Sequence, residues 1–408
     1  MSVVMMPSHR EDFPLLRESK AIYIDSAATA QRPDCVIQAE ADFYARHNAN
    51  PLRGFYELGV DATQQLETAR DSVRDFLHAA DSAEIIFTRN TTESLNLVAY
   101  SYALTNLRPG DEVVVSIMEH HSNLLPWQMA TQHTGATLRF LECDPDGSLP
   151  VERIQSVISG KTRLVAVTHV SNVLGHETPV KAIVAAAHAV GAVVVLDAAQ
   201  SAPHIPLDVQ ALDVDFLAFS GHKLLGPMGV GVLYGKRALL EAMPPFLTGG
   251  EMIDSVTRTG AVFAELPHKF EAGTINAAGA VGLKAAIDYI GGLGMANMQA
   301  RELMLTRRAL DGLKAIPHVH VLGSEEAEEH TGILTFTIDN VHPHDVSAVL
   351  DADHICVRAG HHCAQPLLNY LGVSSATRAS LMFYNTPEEI DAFLNSVESI
   401  RRQMGYGA

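Results

Sequence analysis

Between residues 81 and 235 the chain alternates short apolar runs, rich in valine and isoleucine, with stretches of helical character. Seven runs stand out, at 84–88, 111–116, 136–141, 163–170, 192–197, 215–220 and 231–235. Such runs, separated by connections long enough for crossovers, predict an α/β fold with a mostly parallel seven-stranded sheet sandwiched by helices. Ligands in open sheets of this kind sit beyond the carboxyl ends of the strands. The polar residues follow the runs accordingly: Arg89 to Glu93, Glu119 to Asn123, His169 to Asn172, Asp197 to Gln200 and Ser220 to Lys223. Beyond Thr274 the texture changes to a helix-prone stretch (277–316), a strand (332–339), a helix after His342, a strand (355–359) and a closing helix from Pro387. This pattern predicts a large domain over 21–274 and a smaller α+β domain over 275–408, with residues 1–20 beside the smaller one.

Composition narrows the function classes. With 47% hydrophobic and 19% charged residues the chain is a folding one. Lys and Arg number 29 against 47 Asp and Glu, a net charge of −18, which argues against nucleic acid or an anionic membrane as partner. The longest apolar tract, 182–196, is interrupted by His188 and Gly191 and falls short of the ~20 residues of a membrane span. The first residues lack a signal-peptide pattern. The four cysteines lie far apart without CxxC spacing, which disfavours a disulfide framework or a zinc ribbon. A cytoplasmic location is therefore expected.

Several polar clusters carry candidate chemistry. In SGHKLLGP, Lys223 follows a strand among small residues, where an amine could be desolvated enough to form a Schiff base; a surface lysine in a turn would read the same. Asp197 ends another strand and could pair with a protonated ring nitrogen, or simply cap a loop. His120 and His121 follow a third strand, where an imidazole could lie over a flat ring or shuttle protons. Thr91, Thr92 and Glu93 stand at a predicted helix start, suited to a phosphate or to an ordinary cap.

Taken together and in order, TRNTTESLNLVA, MEHHSNLLPWQ, THVSNVLG, LDAAQS, FSGHKLLGP, FEAGTIN and RAGHHCAQPL resemble the class V aminotransferase family of fold-type I pyridoxal phosphate enzymes, and more narrowly the SufS-type (group II) cysteine desulfurases. The resemblance runs from YIDSAATAQRP to RASLMFYNT and implies a role for each matching position. Lys223 would tether the cofactor, Asp197 would face its ring nitrogen, Gln200 its phenolic oxygen, and His120 would stack on the ring and assist proton transfer. Thr91, Thr92, Ser220 and His222 would hold the phosphate, joined by Thr274 from a second subunit of a homodimer. Asn172 and Arg378 would fix the substrate carboxylate, with Arg358, His361 and Arg53 nearby. The flanks of Arg53, PLRGFYELG, depart from the version found in some members.

Cys363, after His361 and His362, reads three ways: a packing thiol, part of a metal site, or a nucleophile whose thiolate is favoured by the neighbouring His and Arg358. Adjacent residues seldom converge on one metal and no fourth ligand is evident, so no metal is expected. The resemblance implies that Cys363 takes sulfur from L-cysteine as a persulfide, releasing L-alanine. Cys35, Cys143 and Cys356 are expected to pack. The stretch from Cys356 to Cys363 lacks the long loop of group I enzymes, which implies a dedicated acceptor protein for iron–sulfur cluster assembly. NVHPHDVSAVLDAD resembles enzymes paired with a zinc-containing SufU-like acceptor rather than a SufE-like one, with His342 as the candidate contact; a Pro-His helix start reads equally well there. The competing activities are a selenocysteine lyase and a plain aminotransferase, the latter needing no thiol.

Overall fold

The computed structural model describes residues 6–52 and 54–407. All seven runs form strands: β1 (Ile85–Thr88), β2 (Glu112–Ser116), β3 (Thr137–Leu141), β4 (Thr162–Thr168), β5 (Val193–Asp197), β6 (Phe216–Ser220) and β7 (Gly231–Gly235). They make one sheet in the order β1-β7-β6-β5-β4-β2-β3. Pairings from β3 through to β6 are parallel, whereas β7 runs against both β1 and β6. The reason lies in the connection: residues 221–230 between β6 and β7 are too few for a crossover helix.

Alternation along the strands feeds two cores. Val114, Val165, Val194 and Leu217 face one, packed under helices α1 (Glu57–Leu77) and, after α2 (Thr91–Leu97), α3 (Ala277–Leu293). Val113, Val115, Ala166 and Val195 face the other, with Leu95 and Trp127. The two-residue period thus places helices on both faces of the sheet.

A second, four-stranded sheet is antiparallel throughout: β8 (Val319–Leu322), β9 (Ile333–Ile338), β10 (Arg358–Gly360) and β11 (Ala376–Ser380), in the order β8-β9-β11-β10. Around it lie α4 (Met295–Ala315), α5 (Pro343–Ala352), α6 (Gln365–Tyr370) and α7 (Pro387–Gln403). Leu305, Leu334, Phe336 and Phe393 form its core. Thr386 opens α7 with a reciprocal capping box to Glu389.

The structure differs from the sequence pattern at several points. The helix-prone stretch 277–316 is two helices, because Gly294 adopts φ +81° and starts a new direction. Packing changes over beyond that glycine: α3 and Met298 of α4 belong to the large core, as do Phe13 and Leu16, while Leu305 to Leu313 join the core of the second sheet. The run 355–359 is split, with Ile355–Cys356 pairing with Ile22–Tyr23 and β10 with β11. Strands β8 and β11 and the hairpin Ile253–Val256/Ala261–Phe263 carried no clear signal. Of the cysteines expected to pack, Cys143 is buried and Cys356 half-buried, but Cys35 is exposed. It stands on the solvent side of the helix Asp34–Asp42, which buries Val36 instead. Among the described residues no helix is long and apolar enough to cross a membrane.

Candidate active site

The carboxyl ends of β1, β2, β4, β5 and β6 open onto one cavity of about 220 Å³. Asn90, Thr91 and Thr92 reach it from the end of β1, His120 and Ser122 from β2, Asn172 from β4, Asp197 and Gln200 from β5, and Ser220, His222 and Lys223 from β6. The second sheet closes the far side with Arg358, His362, Cys363 and Arg378.

One end of the cavity is built for an anion. Asn90 caps α2 by accepting from the Glu93 N–H at 3.0 Å, which sets Thr91 and Thr92 of the first turn against the cavity. Ser220 Oγ accepts from the Thr91 N–H at 2.8 Å and lies 2.7 Å from Thr91 Oγ1, while Thr92 Oγ1 lies 2.8 Å from Ser122 Oγ. Such close seating needs glycine at 231, since a Cβ there would stand 2.5 Å from Asn90 Cα. Burial, then the charges of Lys223 and Arg32, push the His222 imidazole down to about 4, so it is neutral at physiological pH.

The middle of the cavity holds opposed buried charges. Asp197 accepts the Ala199 N–H at 2.9 Å and has no cation within ion-pair distance among the described residues. Burial raises its carboxyl above the ordinary range, against the pull of that hydrogen bond and of Lys223. Lys223 is pushed down to about 8, by burial first, with Arg378 and Arg358 adding to the effect and Asp197 opposing it. His120 Nδ1 accepts from the Ser122 N–H at 3.0 Å, and burial lowers the imidazole to about 3. Gln200 donates through Nε2 to the Ala27 carbonyl at 2.9 Å, which leaves Oε1 buried without a partner. An anion cradle, an unpaired buried carboxylate, an amine with a lowered pKa and an orphaned amide oxygen in one cavity fit the phosphate, ring nitrogen, aldehyde and hydroxyl of pyridoxal phosphate.

The far side of the cavity is organised by Asp25, a residue to which the sequence assigns no role. Asp25 lies 3.4 Å from Arg378 Nη2 and 3.3 Å from Arg358 Nη2. Arg378 also donates to the Asn172 carbonyl at 2.9 Å, while its Nε is buried and unpartnered. Burial lowers this guanidinium to about 10, against the pull of Asp25. The Asn172 amide is engaged too, donating to the His362 carbonyl at 2.7 Å.

Cys363 is exposed and lines both this cavity and an outer cleft of about 700 Å³ shared with His121, His342, His344, Arg358 and His361. His362 lines both as well, but it is buried, with Nε2 3.0 Å from the Ala376 carbonyl. Thr274 lies apart from Lys223, in a separate cavity with Arg89, Glu93 and Phe246. Arg53 lies outside the described residues. Asp25 sits in YIDSAATA, one of the resembling segments, but its partners are 333 and 353 positions away, a pairing that no local pattern announces.

The family profile of class-V aminotransferases matches residues 22–393. The chain is 50% identical over 398 residues to a probable cysteine desulfurase of Halalkalibacterium halodurans, covering 97% of each. It superposes on the cysteine desulfurase of Thermococcus onnurineus NA1 with TM-score 0.94 at 40% identity, covering 99% of this chain and 100% of that one. For the cysteine desulfurase CsdA of Escherichia coli the TM-score is 0.90 at 40% identity, over 97% and 98% of the chains. With this fold and this cavity, the chain belongs to the class-V aminotransferase family, and its cofactor is pyridoxal phosphate. Within that family it stands among the cysteine desulfurases.

Proposed function

We propose that the enzyme converts L-cysteine to L-alanine, holds the sulfur as a persulfide on Cys363, and hands it to an acceptor protein for iron–sulfur cluster assembly. The observation that carries this reading is the position of Cys363, which borders the Lys223 cavity on one side and an open cleft on the other. A plain aminotransferase has no use for a thiol there.

Bound pyridoxal phosphate supplies an electron sink for the α-carbon of the amino acid. The residues do the rest. Thr91, Thr92, Ser220 and His222 would hold the phosphate, and Asp197 would keep a proton on the ring nitrogen. Lys223 would tether the cofactor, and its amine, when free, can take a proton near neutral pH. His120, neutral and fixed through Nδ1, is the second proton carrier. Arg378 offers its unpartnered Nε to the substrate carboxylate, with Asn172, Arg358, His361 and Arg53 as neighbours. The Cys363 thiolate attacks the substrate sulfur: an S–S bond forms, the Cβ–S bond breaks, and the electron pair left on the three-carbon product takes a proton to give alanine. The overall balance is cysteine plus thiol to alanine plus persulfide.

Two partners complete the proposal. A second copy of the chain would cover the exposed Phe55, Tyr56, Leu58 and Val60 and bring Thr274 to the neighbouring phosphate site. The acceptor would enter the outer cleft, and a zinc-bearing SufU-like protein is favoured over a SufE-like one. His342 supports this: its Nδ1 accepts the His344 N–H at 3.2 Å, so its other ring nitrogen is the one left for a ligand. A cytoplasmic location fits a free thiol that must stay reduced. Incubation with L-cysteine, with and without each acceptor class, tests the reading. Alanine should form, its rate should rise with the correct acceptor, and Cys363→Ser should abolish it; a variant that keeps turning over is an aminotransferase. Selenocysteine as substrate for Cys363→Ser separates off a selenocysteine lyase.

A further inference from the structure

Cys363 sits in a turn that its own sequence does little to stabilise. His362 and Cys363 both take left-handed backbone conformations, with φ of 51° and 53°, a region that residues bearing a Cβ avoid. The helix that follows, α6, has Ala364 as N-cap and so no side chain of its own to satisfy its first N–H groups. One residue from 244 positions before Gln365 meets both needs. The His121 backbone N–H donates to the Cys363 carbonyl at 2.6 Å, and His121 Nε2 accepts the Gln365 N–H at 3.2 Å. The bonds bracket Cys363. The preceding residue, His120, lines the Lys223 cavity, so two adjacent residues serve the cofactor side and the thiol side.

We propose that His121 is a positioning residue, which in its neutral, Nδ1-protonated form clamps the turn carrying Cys363 and on protonation releases it. Nε2 accepts a hydrogen bond only while it carries no proton; an added proton would instead face a helix N-terminus, where positive charge is disfavoured. Most of the groups facing His121 act in the same direction: His120 beside it, with ring centroids 6.3 Å apart, Arg358, His361 and His362 from the nucleophile segment, and His342 and His344 from the start of α5, whereas Cys363 as a thiolate opposes them. No carboxylate lines this cleft among the described residues. Burial and then the charge of His361 hold the His121 imidazole below its ordinary range.

The proposal rests on the reading of Cys363 as the sulfur acceptor, and one arm of its test is independent of that reading. Holoenzyme carrying His121→Ala or His121→Gln is compared with wild type by hydrogen exchange of the amides over 361–370 and by the pH profile of single-turnover sulfur uptake on Cys363. Glutamine offers a carbonyl near the place of Nε2 that gains no proton across the neutral range. The alanine variant should lose amide protection and take up sulfur about ten- to a hundredfold more slowly, with cofactor absorbance and the spectral response to cysteine intact. The glutamine variant should restore both and lose the acid limb of the wild-type profile. Wild-type protection and rate in the alanine variant, or an unchanged acid limb in the glutamine variant, overturns the proposal. If wild type itself takes up no sulfur, the desulfurase reading fails and the exchange arm alone decides for or against the clamp.

Discussion

At the scale of single residues, the site depends on burial shifting ordinary groups to useful protonation states. Lys223 is the clearest case. An amine held near 8 rather than 10.5 is about one-tenth neutral at pH 7, where an exposed lysine is almost wholly charged. Only the neutral amine attacks an aldehyde. The rate at which the cofactor-free protein gains its absorbance band on adding pyridoxal phosphate should therefore climb tenfold per pH unit below 8 and level off above it; a climb that continues towards 10.5 would show that the amine is not desolvated. Asp197→Asn tests the opposite pole. It should keep the band but cut alanine formation by about two orders of magnitude, because the amide cannot balance a protonated ring nitrogen. Lys223, Asp197, His120 and Cys363 were legible from sequence because each follows an apolar run that ends at the cavity, or lies in a family motif. Asp25 was not, nor was the contact of His121 with the Cys363 turn, since both depend on residues far along the chain.

At the scale of elements, one buried ion pair ties the large sheet to the segment that bears Thr274. Arg70 on α1 is fully buried and donates to both oxygens of Glu271, at 2.7 and 2.9 Å, while the Phe87 N–H of β1 donates to the same carboxylate at 2.7 Å. Arg70→Met would strand a buried carboxylate, and a loss of about 3–5 kcal/mol is expected from the shift in urea midpoint; a loss under 1 kcal/mol would show that the pair is not structural. Burial alone would raise the Glu271 pKa, but Arg70, with His268 Nδ1 3.6 Å away and the hydrogen bond from the Phe87 N–H, holds it below the usual 4.5. In the window between the two values the unfolded chain binds more protons, so stability rises with pH. This contribution is full above about pH 4.5 and is lost as pH falls through the folded value. The wild type should therefore be weakened more than Arg70→Met by acid. Six of the seven strands of the large sheet were readable because they are buried and nearly all apolar; the edge strand β3 is mostly exposed and was read from its run at 136–141. The second sheet was read only in part: β8 is short and half-exposed, and β11 spends its buried positions on Thr377, Arg378 and Ser380, so its run looks polar.

At the scale of the whole molecule, the cavity is the meeting place of two sheets, one supplying Lys223 and Asp197 and the other the thiol. A dimer completes it in this account. Light scattering should give twice the 44.0 kDa of one chain, and mixing inactive Lys223→Ala chains with Thr274→Ala chains should change cofactor affinity in the mixed dimer; a monomer at micromolar concentration would remove Thr274 from the site. Whether sulfur passes to this one thiol is read by intact-mass analysis of the holoenzyme after a single turnover with L-cysteine. One added sulfur atom is expected, mapped to Cys363 and reversed by reductant, with one alanine released per chain. Alanine released without added sulfur on Cys363, or sulfur mapped to Cys35, Cys143 or Cys356, would contradict that transfer.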